Sequence, residues 1–514
     1  MDTPVITVVG CAAVTVYVVL RLLLKLTQHA KEPPAILTGI PFLGPLPGML
    51  REKSNFYLRL RNQYNLPIYT LRVPFSRIYI VNATELIAPM QKNWRTISFA
   101  AIAADAGSVV GMSKQAVEVM HQNLTHEDSF SVSWPRYIIP AMSPGRDLDD
   151  INKRSIDIIA AESLRLRAQG KTIVDLFAWS RSIIVKSTTE AIYGPQNPYR
   201  DAAITDAWNR DSIFESGFLT FAIFPFTSLF FPRLWRAREL AASAMMEYMR
   251  KGGHKQASGL VSLRYDHHSR LFGLGLDDIA RGELGNTFAV LGNTTPAALW
   301  LVYHIFSSPQ VLKDIRDELD ELVQTEGDAH TIDLGSLHSS CPVLLSTFQE
   351  TLRFRSITSG PRVLLEDVVI GGYLLKKGSI LMAPAQVQHT STKAWGDDAA
   401  EFDHKRFTRK MVTNRTAFRA FGGGHSLCPG RHFASTEILA FAAVMTLLFE
   451  ITPAGGKWVE PTTFNSPLQA GIPVPDKYPE VEIKPRDPAK EWRLTFTGTQ
   501  KAAGIVSEDI KTEG

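Results

Sequence analysis

The sequence predicts one large, mainly α-helical domain with a minor β component, carried behind a single N-terminal transmembrane helix. Three observations predict it. Residues 5–24 form an apolar run long enough to cross a bilayer. Most of the remaining chain repeats apolar residues at three- and four-residue spacing and closes these stretches at glycine. Only two regions alternate and turn as strands do.

Composition bounds the reading before any motif is weighed. The 514 residues allow one large domain or about three average ones. A hydrophobic share of 45% with 21% charged residues is that of a folded protein rather than a disordered one. Lys and Arg number 55 against 51 Asp and Glu, a formal charge of +4, which argues against nucleic acid as a partner. The three cysteines, Cys11, Cys341 and Cys428, are far apart, which argues against a disulfide-stapled fold and a thiolate-rich zinc site.

The apolar run reads VITVVGCAAVTVYVVLRLLL, with Arg21 as its one charge. At about 1.5 Å per helical residue it matches the roughly 30 Å hydrocarbon core. Asp2 precedes it and Arg21, Lys25 and Lys31 follow, which puts the bulk of the chain on the cytoplasmic side. A cleaved signal peptide is the rival reading, but the basic n-region and small-residue cleavage site are missing. The expected organisation is an anchor over 1–25, a hinge over 26–50 and one domain over 51–514. Pro33, Pro34, Pro41, Pro45 and Pro47 make the hinge a stiff, extended connector, since proline fixes φ and lacks an amide donor.

Helices are expected over 149–170, 240–253 and 277–309, the last long enough to cross the centre of a large domain. Strands are expected within 67–83 and 368–384, where Gly-Gly and Lys-Lys-Gly mark turns.

Cys428 carries the strongest chemical signal, in FGGGHSLCPGRHFASTEILAFAAVMTLLF. Three glycines permit a tight loop whose amides approach the sulfur, and a helix beginning near Pro429 adds its positive end. Both favour thiolate over thiol. A buried structural cysteine and a Cys-Pro haem-sensing motif are the alternatives, and neither accounts for Phe421 and the glycine run at this spacing.

FGGGHSLCPG resembles the haem-binding loop of the cytochrome P450 enzymes, with Phe421, Gly424, Cys428 and Gly430 at matching positions. Upstream, FQETLRFR holds Glu350 and Arg353 three residues apart on one helix face, like the family's Glu-X-X-Arg pair. AWGDDAAEFDHKRF resembles the segment supplying the third member of that buried ion-pair cluster, Arg406. Glu-X-X-Arg alone is common; the order and spacing relative to Cys428 carry the resemblance, which spans about the whole chain.

The resemblance implies a cytochrome P450 fold and a haem b cofactor whose iron takes the Cys428 thiolate as axial ligand, a ligation that favours O–O cleavage. It implies electrons from NADPH through a membrane-bound P450 reductase, with Arg409, Lys410, Arg415 and Arg419 as part of a basic dock, or as a solvated charge cluster. Arg362 and His425 are the candidate propionate contacts. Ser426 replaces the usual basic residue two places before the cysteine, and the family's Trp-X-X-X-Arg motif is not evident.

In the oxygen-activating helix the chain reads VLGNTTPAALW, so Asn293 takes the place of the usual acid beside Thr294, and both are candidate catalytic residues. An amide orients water but does not relay protons as a carboxylate does. Asn with a downstream proline is similar to the branch of sterol 7α-hydroxylases and prostacyclin synthase. Pro296 is expected to open the helix locally; a kink without catalytic consequence is the plainer reading.

The resemblance thus implies a monooxygenase, with a haem-thiolate isomerase or dehydratase acting on a peroxide or epoxide without a reductase as the alternative. A non-enzymatic haem or sterol binder is a third class. Seven phenylalanines in IFESGFLTFAIFPFTSLFFPRLW fall where the family places a mobile pocket roof, AIAADAGSVVG where it places a flexible loop over the haem, and QAGIP at the far wall. Such a lining suits a bulky apolar terpenoid, sterol or prenylated alkaloid of secondary metabolism, and part of the roof is also suited to dip into membrane lipid. The implied location is the endoplasmic reticulum membrane, single-pass, with the catalytic domain cytoplasmic.

Overall fold

A computed structural model describes residues 3–209, 217, 220–222, 224, 226–409, 415–477, 479–499, 504–506 and 509. The apolar run forms helix α1 (Thr3–Thr27). Val8, Val14, Val16, Leu22 and Leu26 are exposed along it, a surface that water disfavours and lipid accepts. Its length and composition make it a candidate membrane span.

The connector after α1 is fastened to the first sheet. The Thr70 N–H donates to the Pro34 carbonyl and the Ile36 N–H to the Thr70 carbonyl. Buried Glu32 accepts the Tyr79 hydroxyl at 2.7 Å and pairs with Arg77 at 3.1 Å. The hinge is not extended throughout, because Pro45–Arg51 is helical. Pro45 and Pro47 fall in its first turn, where an amide donor has no intrahelical partner to lose.

The strands Ile68–Val73 and Ser76–Val81 pair antiparallel, and Ile380–Met382 joins the second in parallel. Arg362–Leu364 and Ile97–Ser98 complete a five-stranded sheet. Val368–Ile370 and Tyr373–Leu375 form a hairpin whose turn uses Gly371 and Gly372, both at positive φ.

The helical part begins with α2 (Ala100–Val110), where a flexible loop was expected. Five of its residues are alanine, the strongest helix former, and Gly111 ends it at φ 82°. Helix α3 (Phe130–Met142) follows, with Pro135 and Pro140 inside it. Helices α4 (Arg146–Ala168) and α5 (Leu176–Tyr193) then precede α6 (Pro232–Arg250) and the 31-residue α7 (Leu276–Phe306). Helix α8 (Pro342–Arg355) leads toward the cysteine loop, and α9 (Arg431–Leu448) leaves it. Helices α4, α5, α7 and α9 pack together around Ile159, Ile184, Trp300, Leu301 and Phe441, all buried. Helix α7 therefore runs through the core.

Two further three-stranded sheets were not expected. One joins Phe449–Pro453, Glu480–Pro485 and Thr172–Asp175; the other joins Glu491–Thr495, Ala329–Asp333 and Gln324–Glu326. Of the phenylalanine-rich roof, Phe214 and Phe218 lie outside the described residues, while Phe224, Phe226, Phe230 and Phe231 are exposed.

Candidate active site

The loop 421–430 connects to α9 and is closed by the Cys428 N–H donating to the Phe421 carbonyl at 2.9 Å. Gly423 and Gly424 are required by neighbours as well as by dihedrals. Gly424 has φ 59°, and a Cβ there would meet Gln91 at 3.0 Å. At Gly423 a Cβ would come within 2.4 Å of the Arg419 guanidinium. At Gly430, with φ −83°, a Cβ would stand 3.9 Å from Cys428 Sγ, an ordinary contact, so the loop's own geometry does not demand glycine there. Burial pushes the Cys428 thiol up, while the Gly430 N–H and Arg431 act in the opposite sense. The helix-end effect read from the sequence is thus opposed by burial. The helix itself starts at Arg431, not Pro429, and the Arg431 guanidinium donates to the Cys428 carbonyl at 3.2 Å while pairing with Asp509 at 2.6 Å.

Two buried guanidinia stand at this loop. Arg362 donates to the Gly360 carbonyl at 2.8 Å and to Ser426 Oγ at 2.5 Å. Burial, and then the Arg419 charge, push its pKa down to about 10. Two like charges held together out of water favour an anion between or beside them. Arg419 thus faces inward, 6% exposed, and is not part of a basic surface as the sequence had implied. Arg409 is exposed and pairs with Asp403 at 3.0 Å; Lys410 and the Arg415 side chain lie outside the described residues. His425 stacks on Trp94 with ring centroids 4.0 Å apart, and Arg95 lies over the same indole. In α3, Trp134 has Ile138 four residues on, so the Trp-X-X-X-Arg spacing carries no arginine there.

Glu350 and Arg353 lie on adjacent turns of α8 and meet through two hydrogen bonds of 2.7 Å. Arg406 adds a third at 3.1 Å, and the Asp403 N–H a fourth at 2.9 Å. The remaining guanidinium donors go to the carbonyls of His389, Ala399, Glu401, Trp395 and Asp398, and Arg406 also pairs with the Asp398 carboxylate at 3.0 Å. His389 extends the cluster to the cysteine loop. Its Nδ1 donates to the Arg353 carbonyl at 2.8 Å and its Nε2 accepts the Arg419 N–H at 2.8 Å. That pair of bonds fixes a neutral tautomer, and burial lowers its pKa to about 3.

On α7 the Thr294 hydroxyl donates to the Val290 carbonyl at 2.7 Å. Asn293 Oδ1 accepts the amides of Gly471 at 3.0 Å and Ile472 at 3.2 Å. Pro296 sits inside the helix and leaves the Gly292 carbonyl without its i+4 donor. Glu437 on α9, which sequence reading missed, is fully buried and accepts Ser155 at 2.7 Å, Ser187 at 2.9 Å and Thr188 at 2.8 Å. Burial raises its pKa to about 7. A single acid in the first half of a helix that ends in a long apolar run was the available signal.

The comparisons with known proteins agree with this geometry. The family model for cytochrome P450 matches residues 34–478. A cytochrome P450 monooxygenase of Hypoxylon pulicicidum, nodJ, is 31% identical over 489 residues, covering 91% of this chain and 93% of its own. The 25-hydroxycholesterol 7-alpha-hydroxylase of Rattus norvegicus is 27% identical over 260 residues, 46% of this chain and 61% of the rat protein. Among solved structures, the haem domain of cytochrome P450DA superposes with a TM-score of 0.71 at 17% identity, over 90% of this chain and 99% of that one. With the fold, the cysteine loop and a family match over most of its length, the chain belongs to the cytochrome P450 monooxygenases, the haem-thiolate enzymes.

Proposed function

We propose that this P450 oxidises a bulky apolar small molecule, a terpenoid, sterol or prenylated alkaloid of secondary metabolism, with dioxygen and with electrons from NADPH through a membrane-bound reductase. The observation that carries the chemistry is the loop in which Cys428 stands with the inward-facing Arg362 and Arg419 nearby. A thiol for iron and two buried cations for carboxylates are what haem b requires of a protein. Cys428 would be the axial ligand, Arg362 and Arg419 would hold the propionates with His425 at the edge, and Phe421, Gly424 and Gly430 would shape the loop.

When bound, the haem supplies activation of dioxygen. The chain's part is to exclude water, orient the substrate and move protons. Thr294 is the hydroxyl placed on α7 for the last task, its oxygen retaining lone pairs beyond the bond that it donates to Val290. The substrate class is supported by the fungal and sterol-hydroxylating relatives and by the aromatic segment preceding α6. Helix α1 would anchor the enzyme in the endoplasmic reticulum with the catalytic domain in the cytoplasm.

Microsomes holding the enzyme and a P450 reductase, incubated with a terpenoid and sterol panel, test the reading. Oxygenated product that requires NADPH and reductase supports it. Rearrangement of a peroxide or epoxide substrate without either would replace it with an isomerase or dehydratase. Binding without turnover would leave a haem or sterol binder.

A further inference from the structure

Loop 469–473 is fastened to the core at three points. The first is Asn293, whose Oδ1 accepts the N–H of both Gly471 and Ile472. The second is the Gly471 carbonyl, which accepts the Ile357 N–H at 2.8 Å from the segment after α8. The third is Trp300, two turns beyond Asn293 on α7, whose Nε1 donates to the Pro473 carbonyl at 2.8 Å. Residue 471 must be glycine for this, since a Cβ there would stand 2.7 Å from Asn293 Oδ1.

A carbonyl oxygen has two lone pairs, and both of those on Asn293 Oδ1 point to loop amides. That oxygen is therefore committed to the loop and not to accepting a proton from water. The requirement of the site is an acceptor for two adjacent amides, which an amide or a carboxylate meets and an aliphatic side chain does not.

We infer that Asn293 is a positioning residue that ties loop 469–473 to α7 and so fixes the far wall of the substrate pocket. This rests on the proposed function and on the expectation that QAGIP, residues 469–473, forms the far wall of its pocket. The same fastening joins α7, the loop and the segment after α8, so releasing Asn293 loosens one wall while Ile357 still holds the Gly471 carbonyl and Trp300 the Pro473 carbonyl.

The test compares haem-loaded wild type with Asn293→Ala, Asn293→Asp and Gly471→Ala. Hydrogen–deuterium exchange of the peptide spanning Gly471 and Ile472 is the first readout, and it requires no turnover. The second is the ratio of affinities for 1-phenylimidazole and 4-phenylimidazole, read from the Soret shift. Asn293→Ala is expected to speed exchange at these amides by about tenfold, the loss of two modest hydrogen bonds, and to change the isomer ratio. Gly471→Ala, which forces the clamp open from the other side, is expected to do the same. Asn293→Asp is expected to restore both readouts, because a carboxylate accepts the same amides. Unchanged exchange in Asn293→Ala overturns the clamp. Faster exchange with an unchanged isomer ratio overturns its role in the pocket. If wild type shows no thiolate-ligated haem, the function reading fails while the exchange result still decides the clamp.

Discussion

Arg353 clasps Glu350 through two hydrogen bonds of 2.7 Å, with the two side chains 1% and 0% exposed. A buried ion pair repays its desolvation only when every donor and acceptor is met, and here Arg406, the Asp403 amide, five backbone carbonyls and the Asp398 carboxylate complete the set. Removing the acid takes the carboxylate from Arg353 and leaves Arg406 with part-exposed Asp398, at 3.0 Å, as its counter-charge.

Glu350→Ala is therefore expected to cost about 3–5 kcal/mol, a large share of ordinary domain stability. Little folded protein should be recovered, and what remains should melt well below wild type. A melting temperature within a degree or two of wild type would mean that Arg353 and Arg406 find compensation elsewhere.

Glu437 gives a pH dependence of definite sign. Burial raises its pKa from 4.5 to about 7, so between those values the folded chain holds a proton that the unfolded chain has lost. Its contribution is fully present below about pH 4.5 and disappears as pH rises through 7. Glu437→Gln keeps an acceptor for the three hydroxyls and removes the ionisation. It should stabilise the protein at pH 8 by on the order of 3 kcal/mol relative to its effect at pH 4.5. Urea unfolding at the two pH values measures this, and parallel shifts at both would refute it.

Thr294→Ala removes the one hydroxyl assigned to proton delivery. NADPH consumption should persist while product per NADPH falls, by an amount within the 10²–10⁴-fold typical of lost acid–base assistance. Side-by-side assays of NADPH loss, peroxide and product measure the coupling. Full coupling in the variant would remove Thr294 from the proton path.

The sequence around Cys341 holds no glycine loop like that at Cys428, a pattern under which serine would be tolerated. The structure places it fully buried in the main core, with burial pushing its thiol well up. Cys341→Ser puts a hydroxyl into that apolar site at a cost of roughly 1–3 kcal/mol, whereas Cys341→Ala loses only a small volume. Thermal melts should rank alanine above serine, with the haem spectrum unchanged in both.

Much of this was legible in sequence because it is local. The glycine spacing around Cys428, the three-residue separation of Glu350 and Arg353, and the periodicity of α4, α6 and α7 each depend on neighbours along the chain. What was not legible depends on distant segments. Strand Thr172–Asp175 has little apolar alternation and exists because Glu480–Pro485 pairs with it. Arg419 looked like one member of a basic run until the fold turned it against Gly423. His389 joins the ion-pair cluster to the cysteine loop across 36 and 30 residues, and Asn293 reaches Gly471 across 178. Helix α2 was misread for another reason. Its alanines and glycine suit a pliable loop by family analogy, but intrinsic propensity favours the helix.

In the proposed function, Cys428 supplies the thiolate to a haem iron. The reduced, carbon-monoxide-bound difference spectrum of the wild type, Cys428→Ala and Cys341→Ala tests it most directly. Wild type and Cys341→Ala should show the red-shifted Soret band of thiolate-ligated haem, and Cys428→Ala should lose it. The same band persisting in Cys428→Ala would contradict it.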